Sequence, residues 1–299
     1  MEHKAGYVNI FGKPNAGKST LLNALIGEKL STTNQKAQTT RHRILGIYND
    51  ALHQIIFSDS PGIIEPKYKL QERMMHQVTE QLEDADVYLL VIDATNKQSV
   101  NPEDSSQYQA IIGKICQSDI PLVIALNKID SLSQEKVYET GEKLRSLYPK
   151  AHILGISALH HFQIDELRQL IQSLLPIHPP YYDKDDVSDR DLRFFCAEII
   201  REKIMGNYDE EVPYSSHVVI NSFKEEEKLI RIHAEIYVER ESQKAIIIGK
   251  MGKALKKTAT ESRIALEEFL KAKVFLELFV KVKKDWRSNE NLLNNMGYC

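Results

Sequence analysis

Apolar residues along the first 175 positions fall in short blocks separated by mixed, helix-like stretches. Continuous apolar runs such as Val87-Tyr88-Leu89-Leu90-Val91-Ile92 suit strands buried on both faces of a sheet. The pattern predicts strands at residues 7–11, 43–48, 53–57, 87–93, 122–126 and 152–155. Between most of them it predicts helices at 18–26, 70–83, 102–117, 134–147 and 164–174. Strands alternating with helices argue for a mostly parallel, doubly wound α/β domain. A hairpin around Asn49-Asp50 adds one antiparallel edge.

The pattern breaks at Leu175-Pro176-Ile177-His178-Pro179-Pro180, and a proline- and charge-rich stretch without periodicity follows. This is a linker signal. Beyond it come a helix at 191–205, with Asp189 or Asp191 as its cap, and strands at 217–223 and 229–238. The acidic turn Lys224-Glu225-Glu226-Glu227-Lys228 joins those strands. A short strand at 245–248 runs into Gly249, then a helix at 253–270. Residues 274–282 alternate cleanly, with Val274, Leu276, Leu278, Val280 and Val282 on one face. The expected organisation is an α/β domain over 1–175, a linker over 176–190 and a smaller α+β domain over 191–299.

Length agrees, since 299 residues at about 150 per domain suggest two domains. A hydrophobic share of 42% excludes a mostly disordered chain. The longest apolar run, at 85–94, is too short for a membrane span, and no signal peptide is expected at Met1-Glu2-His3-Lys4. Cys116, Cys196 and Cys299 are odd in number and far apart, which excludes a disulfide framework and a CxxC metal knuckle and fits a reducing cytosol. The net charge of −3 divides unevenly: −2 over 1–175, −7 over 176–242, +7 over 243–287 and −1 over 288–299. The basic stretch is either a solvated helix face or a site for a polyanion.

Gly12-Lys13-Pro14-Asn15-Ala16-Gly17-Lys18-Ser19 matches G-x-x-x-x-G-K-[ST] between a predicted strand and a predicted helix. The glycines let backbone N–H groups face phosphates, and the helix N-terminus adds positive potential. Lys18 brings charge to the β/γ-phosphates and Ser19 a hydroxyl to Mg²⁺. Asp59-Ser60-Pro61-Gly62 ends the third strand, where Asp59 is placed to hold Mg²⁺ and Gly62 to offer an N–H to a γ-phosphate. Asn127-Lys128-Ile129-Asp130 ends the fifth strand and Ser157-Ala158-Leu159 follows the sixth. Ligands bind outside the carboxyl ends of such strands. Asp130 suits the N1–H and N2–H₂ of guanine, which adenine lacks, while Asn127 holds loops, Lys128 lies along the base and N–H groups near Ala158 meet O6.

With Lys36-Ala37-Gln38-Thr39-Thr40-Arg41-His42-Arg43, Arg240-Glu241-Ser242-Gln243-Lys244 and Gly249-Lys250-Met251-Gly252, these motifs make the chain resemble the Era GTPases over nearly its whole length. The resemblance implies a P-loop GTPase domain followed by a K-homology (KH) domain. It implies a GTPase that binds the 3′ end of small-subunit rRNA and acts in assembly of the 30S subunit. It places the GTP-binding residues at 12–20, Thr20 included, and at Thr40, Asp59, Gly62, Asn127, Lys128, Asp130, Ser157, Ala158 and Leu159. Ser19, Thr40 and Asp59 become the Mg²⁺ residues, and Asn15 a candidate K⁺ ligand. Where Ras-type switches carry a catalytic glutamine this chain has Ile63, so the group that positions water is not assigned and turnover is expected to be slow. A monomer in the cytoplasm is expected, with peripheral contact to the inner membrane face left open.

In the basic stretch, a tight G-x-x-G turn lets an RNA backbone approach closely, and Lys244, Lys250, Lys253, Lys256 and Lys257 surround Gly249, Met251 and Gly252. Tyr237, Phe275 and Phe279 are either base-stacking or sheet-face residues, and Trp286 is placed to pack back on its domain. Two rival readings remain at this stage: a small-molecule kinase or triphosphatase, and a protein-interaction scaffold whose basic stretch docks an acidic partner.

Overall fold

A computed structural model describes residues 2–34, 36, 38–96 and 105–298. Three expectations fall partly outside them: residues 102–104 of the third predicted helix, Ala37 and Cys299. The chain folds as two compact units. One comprises Met1–Ser31, Thr40–Lys67 and Gln71–Asp189, the other Thr32–Thr39, Tyr68–Leu70 and Arg190–Cys299.

Along the first half run β1 (Lys4–Phe11), α1 (Lys18–Ile26), β2 (Ile44–Asn49), β3 (His53–Asp59), α2 (Lys69–Glu80), β4 (Val87–Asp93), α3 (Ser106–Gln117), β5 (Leu122–Asn127), α4 (Gln134–Leu147), β6 (His152–Gly155) and α5 (Ile164–Leu174). The strands form one sheet in the order β2-β3-β1-β4-β5-β6. All neighbours are parallel except β2 and β3, the expected antiparallel edge. Alternate residues of β1, β3 and β4 (Ile10, Phe57, Leu89) pack against α1 through Leu21 and Leu25 and against α5 through Leu167 in one core. That burial on both faces is why these strands read as unbroken apolar runs.

The stretch expected as a linker is fastened down instead. The Val187 carbonyl accepts from Ile47 N at 2.9 Å, and the Asp189 carboxylate from Leu45 N at 3.2 Å. Gln54 receives the Tyr181 and Tyr182 amides at 2.7 and 3.0 Å. The physical reason is that β2 is an edge strand whose free backbone groups need partners.

The second half contains α6 (Leu192–Asn207), α7 (Val212–Ser215), β7 (His217–Glu226), β8 (Leu229–Val238), α8 (Glu241–Ile248), α9 (Lys253–Leu270), β9 (Val274–Val282) and α10 (Glu290–Asn295). Asp191, not Asp189, caps α6 by accepting from Phe194 N at 2.8 Å. A three-stranded sheet, β7-β8-β9, pairs antiparallel and then parallel. Ile200, Ile204, Ile236, Ile247 and Leu266 close its core. Trp286 is fully buried and donates its indole N–H to the Ser215 carbonyl at 2.9 Å.

The strand expected at 245–248 is a correction: these residues are the last turn of α8. Three consecutive isoleucines favour a strand locally. Gln243 overrides them, accepting from Glu239 N and Arg240 N at 3.0 and 3.1 Å and starting a helix that buries only Ile247 of the three. Among the described residues, no helix is long and apolar enough to cross a membrane.

Candidate nucleotide site and basic turn

The nucleotide motifs of the first unit meet at the carboxyl ends of its parallel strands. β1 pairs with β3 so that Ile10 faces Asp59, and β4 with β5 so that Asp93 faces Asn127. After β1 the chain turns through Gly12 to Gly17 and enters α1 at Lys18. Gly17 has a φ of 95°, and a Cβ there would lie 2.2 Å from Asn127 Nδ2, so only glycine fits.

Lys18 is buried, its Nζ donating to the Gly12 and Lys13 carbonyls at 3.1 and 3.0 Å. Burial pushes its ammonium down to about 8, against the opposing pull of Asp59. Burial pushes the Asp59 carboxyl up, opposed by Lys18 and by hydroxyl hydrogen bonds. Asp59 Oδ2 accepts from Ser19 at 2.8 Å, Ser31 at 3.1 Å and Thr40 at 3.4 Å, and Thr40 Oγ1 lies 2.8 Å from Ser19 Oγ. Asp59 Oδ1 is buried with no hydrogen-bond partner among the described residues. This set of hard oxygens with one unused carboxylate atom fits Mg²⁺. Ile63 N donates to the Gly12 carbonyl at 3.2 Å, which seats the segment ending in Gly62 on the turn after β1.

On the other side of that turn, Asn127 is buried and ties two loops together. Its Nδ2 donates to the Ala16 carbonyl at 2.9 Å and its Oδ1 accepts from Ala158 N at 3.0 Å. The Ala158 N–H, expected to face a base carbonyl, is therefore directed to Asn127. Lys128 Nζ donates to the Asn15 carbonyl at 2.7 Å and to Asp93 at 2.6 Å. Hydrogen bonds, first from Ser157 and also from Ser131, hold the Asp130 carboxyl below its usual range. Asn15 is exposed with a φ of 63°, and Leu159 is exposed. Lys13 Nζ stands 5.2 Å over the Tyr108 ring, while Pro14 and Thr20 are half-buried.

Two residues escaped the sequence reading. Asp93 ends an apolar strand as Asp59 does, so the rule that singled out Asp59 would have found it. Ser31 carries no motif, and nothing in the sequence marks it.

In the second unit, Gly249-Lys250-Met251-Gly252 joins α8 to α9. Lys250, Lys253, Lys256 and Lys257 are exposed and Lys244 is half-buried. Lys257 has Glu261 3.8 Å away. Met251 is 88% exposed and Ile246 50%, an apolar pair beside the lysines that the charge pattern did not reveal. Phe275 and Phe279 are half-exposed on the sheet face, under the Arg231 guanidinium and the His233 ring. Tyr237 is buried, its hydroxyl donating to Glu235 at 2.8 Å.

Fold and site define a P-loop GTPase followed by a KH domain. Residues 7–128 match the family described as 50S ribosome-binding GTPase, and residues 211–287 the KH domain. The chain is 43% identical over 298 residues to GTPase Era of Nitrosomonas eutropha, covering 99% of this chain and 98% of that protein. It is 41% identical over 299 residues to GTPase Era of Geotalea daltonii, covering 100% and 99%. A crystal structure of Era in complex with MgGDPNP and nucleotides 1506-1542 of 16S ribosomal RNA is similar with a TM-score of 0.93 at 42% identity, 99% of each chain being covered. An Aquifex aeolicus Era variant bound to GDP and AlF4- gives 0.92, also at 42% identity and 99% coverage of each chain. The chain belongs to the Era GTPase family.

Proposed function

We propose that this chain is a GTP-hydrolysing switch that binds small-subunit rRNA near its 3′ end during assembly of the small ribosomal subunit. The supporting observation is the joint presence of a guanine-type pair, Asn127 and Asp130, and a lysine-flanked Gly249–Gly252 turn. The relative crystallised with MgGDPNP and 16S ribosomal RNA supports the same ligand classes.

In this reading the N–H groups of residues 15–20, past Pro14, and the Lys18 ammonium receive the phosphates. Ser19, Thr40 and Asp59 would hold Mg²⁺, which when bound supplies positive charge to the β/γ-phosphate oxygens. Lys18 gives up its carbonyl partners for phosphate oxygens. Asp130 reads the guanine edge, and Lys128, anchored by Asp93, stays alongside it. Asn15 offers an amide oxygen for K⁺. Ile63 is buried at 4% exposure and has no group to orient water. Intrinsic turnover is therefore on the order of minutes or longer. A monomer in the cytoplasm remains the expectation, with peripheral membrane contact left open.

The test is competition of ATP and GTP for the protein, together with titration of a 3′-terminal small-subunit rRNA fragment. Lys18→Ala or Ser19→Ala should abolish turnover, and replacing K⁺ by Na⁺ should slow it if Asn15 holds the ion. Equal ATP and GTP affinity, or no RNA binding, would overturn the reading.

A further inference from the structure

The segment that carries Gly62 is fastened at both ends within the first unit. At its start the buried Ser60 hydroxyl donates to the Ile10 carbonyl of β1 at 2.8 Å. At its far end Glu65 reaches the first turn of α3, its Oε1 accepting from the Ser106 hydroxyl and from Gln107 N, each at 3.0 Å. Between these two points Gly62 lies so close over the phosphate loop that a Cβ would stand 2.7 Å from the Pro14 nitrogen. Ile63 N is seated on the Gly12 carbonyl beside it.

Glu65 suits α3 for an elementary reason. The first N–H groups of a helix have no partner inside it, and the aligned peptide dipoles favour negative charge there. Ser105 serves one of those groups, accepting from Tyr108 N at 3.3 Å, and Glu65 serves another, Gln107 N. The hydrogen bond from Gln107 N, and then that from the Ser106 hydroxyl, hold the Glu65 carboxyl below its usual range although the side chain is exposed. The same turn carries Tyr108, buried, with Lys13 Nζ of the phosphate loop 5.2 Å over its ring. One turn of α3 thus braces two loops at once, residues 12–19 through Tyr108 and residues 60–65 through Glu65.

We propose that Glu65 is a positioning residue for GTP hydrolysis: by capping α3 it holds the segment whose Gly62 N–H receives the γ-phosphate. This rests on the nucleotide reading given above. Ile63 brings no group to orient water, so correctly placed backbone donors carry more of the catalysis that remains. GDP has no γ-phosphate, so Glu65 bears on the triphosphate and its cleavage and leaves GDP affinity alone.

The experiment uses the full chain with Mg²⁺. Single-turnover GTP hydrolysis is measured, with the Kd for GDP and for a non-hydrolysable GTP analogue. Glu65→Ala should slow hydrolysis and weaken the analogue by about 3- to 10-fold while GDP stays within about twofold of wild type. Glu65→Gln keeps an oxygen that accepts from both Ser106 and Gln107, and should recover most of the loss. Ser106→Ala should cost less than Glu65→Ala, and adding it to Glu65→Ala should cost nothing further, because both remove the same contact. Wild-type hydrolysis and analogue affinity in Glu65→Ala would overturn the proposal. So would an equal loss of GDP and analogue together with a lower melting temperature, which is what a merely structural cap gives. Both results leave the GTPase reading standing. A wild type that binds neither nucleotide removes that reading and the proposal together.

Discussion

Asn127 reaches the Ala16 carbonyl at 2.9 Å, so a side chain at the end of the fifth strand fixes the loop that follows the first. The same amide accepts from Ala158 N, and all three groups are buried. Removing it leaves a carbonyl and an N–H without partners, each costing about 1–3 kcal/mol. Asn127→Ala should lower the denaturant midpoint and weaken GTP and GDP together, by roughly 10- to 100-fold. Unchanged nucleotide affinity in a calorimetric titration would show that the bridge is dispensable.

Asp130 faces solvent at the edge of this bridge, held ionised by Ser157 and Ser131. Asp130→Asn exchanges an acceptor for a donor. It should lose GTP and gain xanthosine triphosphate, whose C2 carbonyl accepts where guanine donates. Binding of the two nucleotides to wild type and variant is the measurement, and a variant that still prefers GTP would place base recognition elsewhere.

Much of this was legible in the chain. The bounds expected for α4, α5, α9 and β9 coincide with those observed, because long, strongly periodic segments leave little competition between conformations. The end of α8 departs from the expected strand because Ile246, Ile247 and Ile248 favour a strand locally, while the hydrogen bonds of Gln243 that start the helix leave no local pattern. α10 was not foreseen, since its residues are mostly polar and its place depends on one buried side chain, Leu293. Motif residues of the nucleotide site were legible because phosphate and guanine chemistry fix residue type and spacing. The place of Ser31 beside Asp59 depends only on where distant segments meet, and no local pattern encodes that.

Cys196 lies in the core of the second unit, and burial pushes its thiol up to about 12 from an ordinary value near 9. A group whose pKa is raised by folding stabilises the fold below its unfolded value and loses that contribution as pH climbs toward the folded one. Stability should therefore fall between about pH 9 and 12, by up to about 1.4 kcal/mol per unit. Cys196→Ser should remove this part of the alkaline slope. At pH 8 an alkylating reagent should label exposed Cys116 and spare Cys196 in a Cys299→Ser background. Rapid native labelling of Cys196 would contradict the burial on which the argument stands.

The basic turn offers the sharpest separation of RNA binding from nucleotide chemistry. Lys250, Lys253, Lys256 and Lys257 are exposed around it, while the acidic stretch before it disfavours coating by nonspecific nucleic acid. Each phosphate neutralised on a single strand contributes about −0.7 to the slope of log affinity against log salt, so four or five lysines give roughly −3. Lys253→Glu with Lys257→Glu should weaken binding of the rRNA fragment, flatten that slope and leave GTP hydrolysis by the isolated protein intact. Gly252 has a φ of 73° and open space where a Cβ would stand, so Gly252→Asp adds a charge and a left-handed strain without a clash. Aspartate tolerates that backbone region better than most residues. A loss of RNA affinity in this variant, with its melting temperature near wild type, would come from charge placed where the phosphates run. Wild-type affinity and slope in both variants would mean that the lysines only face solvent, and the RNA site would have to be sought elsewhere on the second unit.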